Sequence, residues 1–198
     1  MIRYAARAVP WTLVATSCVL VVALMALVAA WPDVVWPLQG AAVGLLAGAA
    51  AWSMDEVAAA VVDTLPRALW WRTAARAAAV VPLALVWTGC VLVAGDRLPP
   101  HGELFLLQGF AAVLCSVAFV TWRRAHGEAA PGARVASGAI AVATALALIR
   151  PLPERLPLFP AWAYEQWELS LALWSALAAA SAVLLALALS RGPAGRSG

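Results

Sequence analysis

The chain has 198 residues, 65% of them hydrophobic and 12% charged, with a formal net charge of +3. A soluble domain is about half apolar and a quarter charged, so this composition excludes one and fits a chain dissolved in lipid. The mean hydropathy of +0.89 agrees. The absence of any lysine excludes a phosphate-binding GK[ST] loop, so this chain carries no P-loop ATPase site.

A bilayer core requires about 20 apolar residues per helix. Six runs meet or approach this, at about 11–30, 38–52, 77–95, 104–122, 135–149 and 169–189. The predicted fold is therefore an all-α integral membrane protein of six transmembrane helices in a single transmembrane domain, residues 1–198. The first run follows Arg3 and Arg7 and ends in Val28-Ala29-Ala30, which resembles a signal peptide. Its apolar stretch is longer than the usual 7–15 residues of a signal core, so it is read as an uncleaved first span. The second and fifth runs are short for a full crossing and need flanking residues, little tilt or a thinned bilayer.

Span two contains Gly40, Gly44 and Gly48 on one helix face. Glycines at this spacing let a second backbone approach closely. The ladder serves either an intramolecular contact or a subunit interface. Between spans two and three lies the charged segment 53–76, SMDEVAAAVVDTLPRALWWRTAAR. Ser53 as N-cap with Glu56 three residues on forms a capping box, and acids in the first turn suit the helix dipole. Met54, Val57, Ala58, Val61, Val62 and Leu65 then share one face, with Asp55, Glu56 and Asp63 at its edges. Pro66 ends that helix or opens the next. Residues 66–76 are rich in Trp and Arg and read as an interfacial helix with snorkelling arginines.

All 13 basic residues are arginine. With a cytosolic N-terminus, Arg3, Arg7, Arg67, Arg72, Arg76, Arg123, Arg124, Arg134, Arg191 and Arg196 lie inside, and only Arg97, Arg150 and Arg155 lie outside. This asymmetry predicts both termini in the cytosol of a multi-pass inner (plasma) membrane protein. It also accounts for the basic pI of 9.1 without a nucleic-acid partner. Nine tryptophans fall near span ends, as an interfacial belt requires. Trp87 and Trp174 lie deeper. With Gln39 and Gln108 they are the candidates to line a pathway; the competing use is packing and hydrogen bonding between helices.

Chemistry is sparse. Cys18, Cys90 and Cys115 lie inside spans without metal-site or CxxC spacing and read as packing residues. No acid or histidine lies near a predicted midplane, which argues against an ion-coupled transporter. His101 and His126 cannot form an HExxH site. His126 with Glu128 reads as a solvated loop pair rather than acid–base machinery. No catalytic residue and no metal site are expected.

Six spans, cytosolic termini and a short helix between spans two and three resemble the membrane subunit of an ABC-2-type (type V) ABC exporter. The string DEVAAAVVDTLPRALWWRTAAR is similar to segments of small actinobacterial permeases of this kind. Met1–Pro10 resembles a short form of the family's N-terminal interfacial helix. The Pro- and aromatic-rich loop 150–168 corresponds to its re-entrant outer helices. The resemblance implies a permease subunit paired with a second six-span subunit, the same or different. It implies no cofactor in this chain, with ATP and magnesium bound by a partner ATPase. It further implies that Asp55, Glu56, Val57, Val61, Asp63 and Leu65 form the coupling helix on which that ATPase docks. The uncharged, aromatic-rich bundle suits lipophilic or amphipathic cargo. Two other classes stay open: a membrane scaffold or accessory subunit without its own pathway, and a membrane enzyme with an unrecognised site.

Overall fold

Backbone polar groups find no water inside a bilayer, so an apolar run satisfies them within its own helix. Accordingly, every regular element of the computed structural model is helical. It describes residues 9–31, 35–55, 69–98, 101–150, 156–160 and 166–190, and 87% of these are helix. In chain order the helices are α1 Trp11–Ala30, α2 Val35–Ser53, α3 Leu69–Arg76, α4 Val80–Ala94, α5 Gly102–Ala125, α6 Gly132–Ile149 and α7 Trp167–Ser190. The 3-10 turn Ala77–Ala79 joins α3 to α4, and another, Gly95–Arg97, follows α4. Among the described residues, five helical stretches are long and apolar enough to cross a membrane: α1, the run from Trp70 to Ala94, α5, α6 and α7. That is the character of a multi-pass membrane protein.

Several helices extend past the apolar runs that predicted them. α5 takes in Glu103 in its first turn and Arg123 and Arg124 in its last. These charges complement the helix dipole, which is why polar residues continue the helix beyond its apolar stretch. The predicted interfacial piece and third span form one nearly continuous run. Arg72 and Arg76 do not snorkel into solvent: they are only 5% and 6% exposed.

α2 and α5 form the centre of the bundle. Their buried residues include Ala42, Val43, Leu46, Phe105, Ala111 and Val120. By contrast, α6 and α7 turn most of their surface outward. α2 runs antiparallel to α6 and is held closest to it by the glycine ladder. A Cβ on Gly40 would overlap that of Ala147, one on Gly44 would lie 2.9 Å from Ala143 Cβ, and one on Gly48 would lie 2.8 Å from Ile140 Cγ1. The ladder is thus an intramolecular seam against Ala143, Ala147 and Ile140 on α6. α1 covers α2 and α4, while α7 packs along α5. Two hydroxyls bond their own helix: buried Thr121 donates through Oγ1 to the Val117 carbonyl at 2.7 Å and exposed Ser137 through Oγ to that of Ala133 at 3.0 Å.

The described arginines segregate by end. Arg72, Arg76, Arg123, Arg124 and Arg134 lie at the end where α2 and α5 finish and α6 begins; Arg97 and Arg150 lie at the other. Trp11, Trp52 and Trp70 are exposed at the arginine-rich end and Trp31 at the opposite one. This is the distribution of an interfacial aromatic belt.

Candidate functional site

At the arginine-rich end, the last turn of α2 presents carbonyls with no partner further along that helix. Cationic side chains satisfy such groups and favour the negative end of the dipole. Arg76, at the end of α3, donates through Nη1 to the Ser53 carbonyl at 3.2 Å and to the Asp55 carbonyl. Arg124, from the last turn of α5, donates through Nη1 to the Met54 carbonyl at 3.3 Å. The Asp55 carboxylate points the other way. Its Oδ1 accepts from the Gly132 N–H at 2.6 Å and its Oδ2 from the Ala133 N–H at 2.8 Å. Asp55 therefore caps α6, whose first N–H groups have no partner within their own helix. Gly132 is required there, because a Cβ would crowd the Ala51 carbonyl and lie 2.7 Å from the carboxylate. Three residues, 53–55, so tie together α2, α3, α5 and α6.

Ser53 differs from its predicted role. It is the last residue of α2, fully buried, and its hydroxyl donates back to the Ala50 carbonyl at 2.8 Å rather than capping a following helix. Met54 is buried as well. Asp55, expected on a docking surface, has its carboxylate engaged by α6. Glu56, Val57, Val61, Asp63 and Leu65 lie outside the described residues.

Beside this junction, α5 ends in a turn closed by Gly127 at φ +90°. The Gly127 N–H donates to the Arg124 carbonyl at 3.0 Å and the Glu128 N–H to that of Arg123 at 3.2 Å, the paired bonds of a Schellman cap. The turn carries the Glu128 carboxylate back onto Arg123 Nε, and Arg134 Nη1 lies 2.9 Å from its other oxygen. The hydrogen bond from Arg123 and the charges of both arginines hold the Glu128 carboxyl below its ordinary range. His126 is not its partner: the imidazole Nδ1 donates to the Trp122 carbonyl at 2.8 Å.

The opposite end holds a buried polar cluster. Gln39 Nε2 of α2 donates to Gln108 Oε1 of α5, and both side chains are fully buried. Gln108 Nε2 donates to the Leu158 carbonyl at 2.9 Å, which also accepts from Trp174 Nε1 at 2.8 Å. Residues 156–160 pack into this end of the bundle, with Phe159 edge-on to Trp174 at 5.8 Å between centroids. Trp87 is fully buried against Gly109 and donates to the Phe105 carbonyl at 3.0 Å. All four pathway candidates are thus occupied in contacts between packed segments. Gln108→Leu is expected to destabilise the protein by about 1–3 kcal/mol, because it strands polar partners in a dry interior. Gln39→Leu in that background is expected to recover part of the loss. Thermal unfolding in detergent of the two single variants and the double variant measures the coupling.

Among the described residues no group of His, Cys, Asp and Glu is placed to hold a metal. His101 stacks on Trp167 with centroids 4.6 Å apart, a packing role. Comparison with family models, curated proteins and solved structures returned no match.

Proposed function

We propose that this chain is the transmembrane subunit of an ABC-2-type exporter of lipophilic or amphipathic cargo, driven by a separate ATPase. On this reading both termini and the arginine-rich end face the cytosol of the plasma membrane, and α2 is a sixth span. Its 19 residues give a length of roughly 28 Å, close to a hydrocarbon core of about 30 Å. Two such subunits form the pathway.

The observation that carries the reading is the clamp that joins the two chain ends flanking segment 56–68. Arg76 ties the chain leaving that segment to Ser53 and Asp55 entering it. Arg124 and the Asp55 cap extend the tie to α5 and α6. A load applied to Glu56–Leu65 by a docked ATPase therefore reaches three helices through short polar links rather than being lost in a loose loop. Asp55 serves as the root of the docking segment, and Glu56, Val57, Val61, Asp63 and Leu65 supply its contact surface.

The chain, tagged and purified in mild detergent from its own membranes, is expected to retain a nucleotide-hydrolysing subunit. Val61→Arg with Asp63→Arg is expected to release it, while both proteins remain folded. Retention that ignores both substitutions would sink the reading. The close packing of Gln39, Trp87, Gln108 and Trp174 favours a second reading, a membrane scaffold without its own pathway, for which no ATPase is retained.

A further inference from the structure

α5 and α6 touch little beyond their junction, leaving a groove of about 410 Å³ between them, a size typical of a small-molecule site. Its walls are apolar: Phe119 on α5 and Val135, Gly138 and Val142 on α6. Phe119 and Val142 are themselves exposed, so the groove opens on the surface that faces lipid. Along α6, residues 134 to 142 rise roughly 12 Å. The groove thus runs from the end of the helices into the depth of one leaflet. Its mouth is the Arg123–Glu128–Arg134 cluster, two positive charges against one negative. The Arg134 side chain is 78% exposed there, and Arg123 also lies over the Phe119 ring, 6.0 Å from its centroid.

We infer that this groove binds an anionic membrane lipid, one acyl chain lying between α5 and α6 and the headgroup phosphate meeting Arg123 and Arg134. Lipid rather than free phosphate is the occupant because the cationic mouth continues directly into an apolar channel. Such a channel open to the bilayer takes up hydrocarbon rather than water. Arginine suits the headgroup, since its planar fork matches phosphate oxygens. The net positive mouth selects anionic over zwitterionic lipid. The inference stands apart from the ATPase reading: it needs only that the bundle sits in a membrane.

A Cβ on Gly138 meets nothing within 4 Å, so Gly138→Leu projects into the groove without displacing protein. Arg134→Glu reverses the mouth at an exposed position. Gly89→Leu is the control, because Gly89 is equally open and lies on α4, in a different groove. The experiment is native mass spectrometry of each purified protein, exchanged into detergent with defined phosphatidylglycerol and phosphatidylcholine. The wild-type chain and Gly89→Leu are expected to carry phosphatidylglycerol preferentially. Gly138→Leu is expected to lose most of that adduct, and Arg134→Glu to weaken it about tenfold or more. Unchanged adducts in both groove variants would overturn the inference. So would an equal loss in Gly89→Leu, which would assign the adducts to the general surface. A changed oligomeric state in Gly138→Leu with adducts unaltered would instead place a second copy in the groove.

Discussion

Gly40→Ala is expected to lower stability by about 1–3 kcal/mol, the cost of overpacking a closely packed interior. The new methyl would overlap Ala147 Cβ and lie 3.3 Å from the Ala143 carbonyl oxygen. Neither neighbour can swing aside: one is a methyl fixed to the backbone of α6, the other is backbone itself. Relief requires α2 and α6 to separate, which would also loosen the contacts at Gly44 and Gly48. Ala147→Gly in the same chain removes the obstructing methyl and is expected to restore more than half of the loss. That recovery is the informative result, because a general intolerance of alanine in α2 would not respond to a change on α6. Thermal unfolding of the wild type, both single variants and the double variant in one detergent reads it directly.

Asp55→Ala is expected to cost about 2–3 kcal/mol. Two backbone N–H groups at the start of α6 lose a charged acceptor, where a hydrogen bond to a charged group contributes roughly 1.5–3 kcal/mol, and the helix dipole loses a favourable anion. Asp55→Asn keeps one acceptor oxygen and is expected to cost about half as much. Hydrogen exchange is expected to localise the change to the first turn of α6 rather than to segment 56–68, and thermal unfolding gives its size. The location matters for any docking assay: a charge reversal at Asp55 would damage the bundle as well as a partner surface, so docking is better probed at Val61 and Asp63.

How much of this was legible beforehand follows from what a one-dimensional pattern carries. Each of the six apolar runs coincides with a helix, because lipid solvation acts on local composition. The helix ends were less legible, since Glu103, Arg123 and Arg124 are polar yet helical. The sequence marked Asp55 as an acid at a helix N-terminus, which it is, but of α6, 77 residues further on. Spacing alone has no access to such a partner. The same holds for Gln39 and Gln108, whose pairing depends on α2 and α5 lying side by side. The seam partner of the glycine ladder did leave a trace: Ala136, Ala143 and Ala147, with Ile140 between them, recur at intervals of three and four residues, and three of these four positions carry the small side chains of a close helix contact. The clamping roles of Arg76 and Arg124 left none, because an arginine beside a membrane interface has the same pattern whether it faces headgroups or the carbonyls of a neighbouring helix.

In the proposed function, segment 56–68, rooted by Asp55, Arg76 and Arg124, is the handle by which an ATPase drives the bundle. The most direct measurement is ATP hydrolysis by the complex retained on the tagged chain after transfer into lipid nanodiscs. Hydrolysis is expected with the wild-type chain, falling to background with Val61→Arg plus Asp63→Arg. Background hydrolysis with the wild type, or equal hydrolysis with both chains, would contradict it.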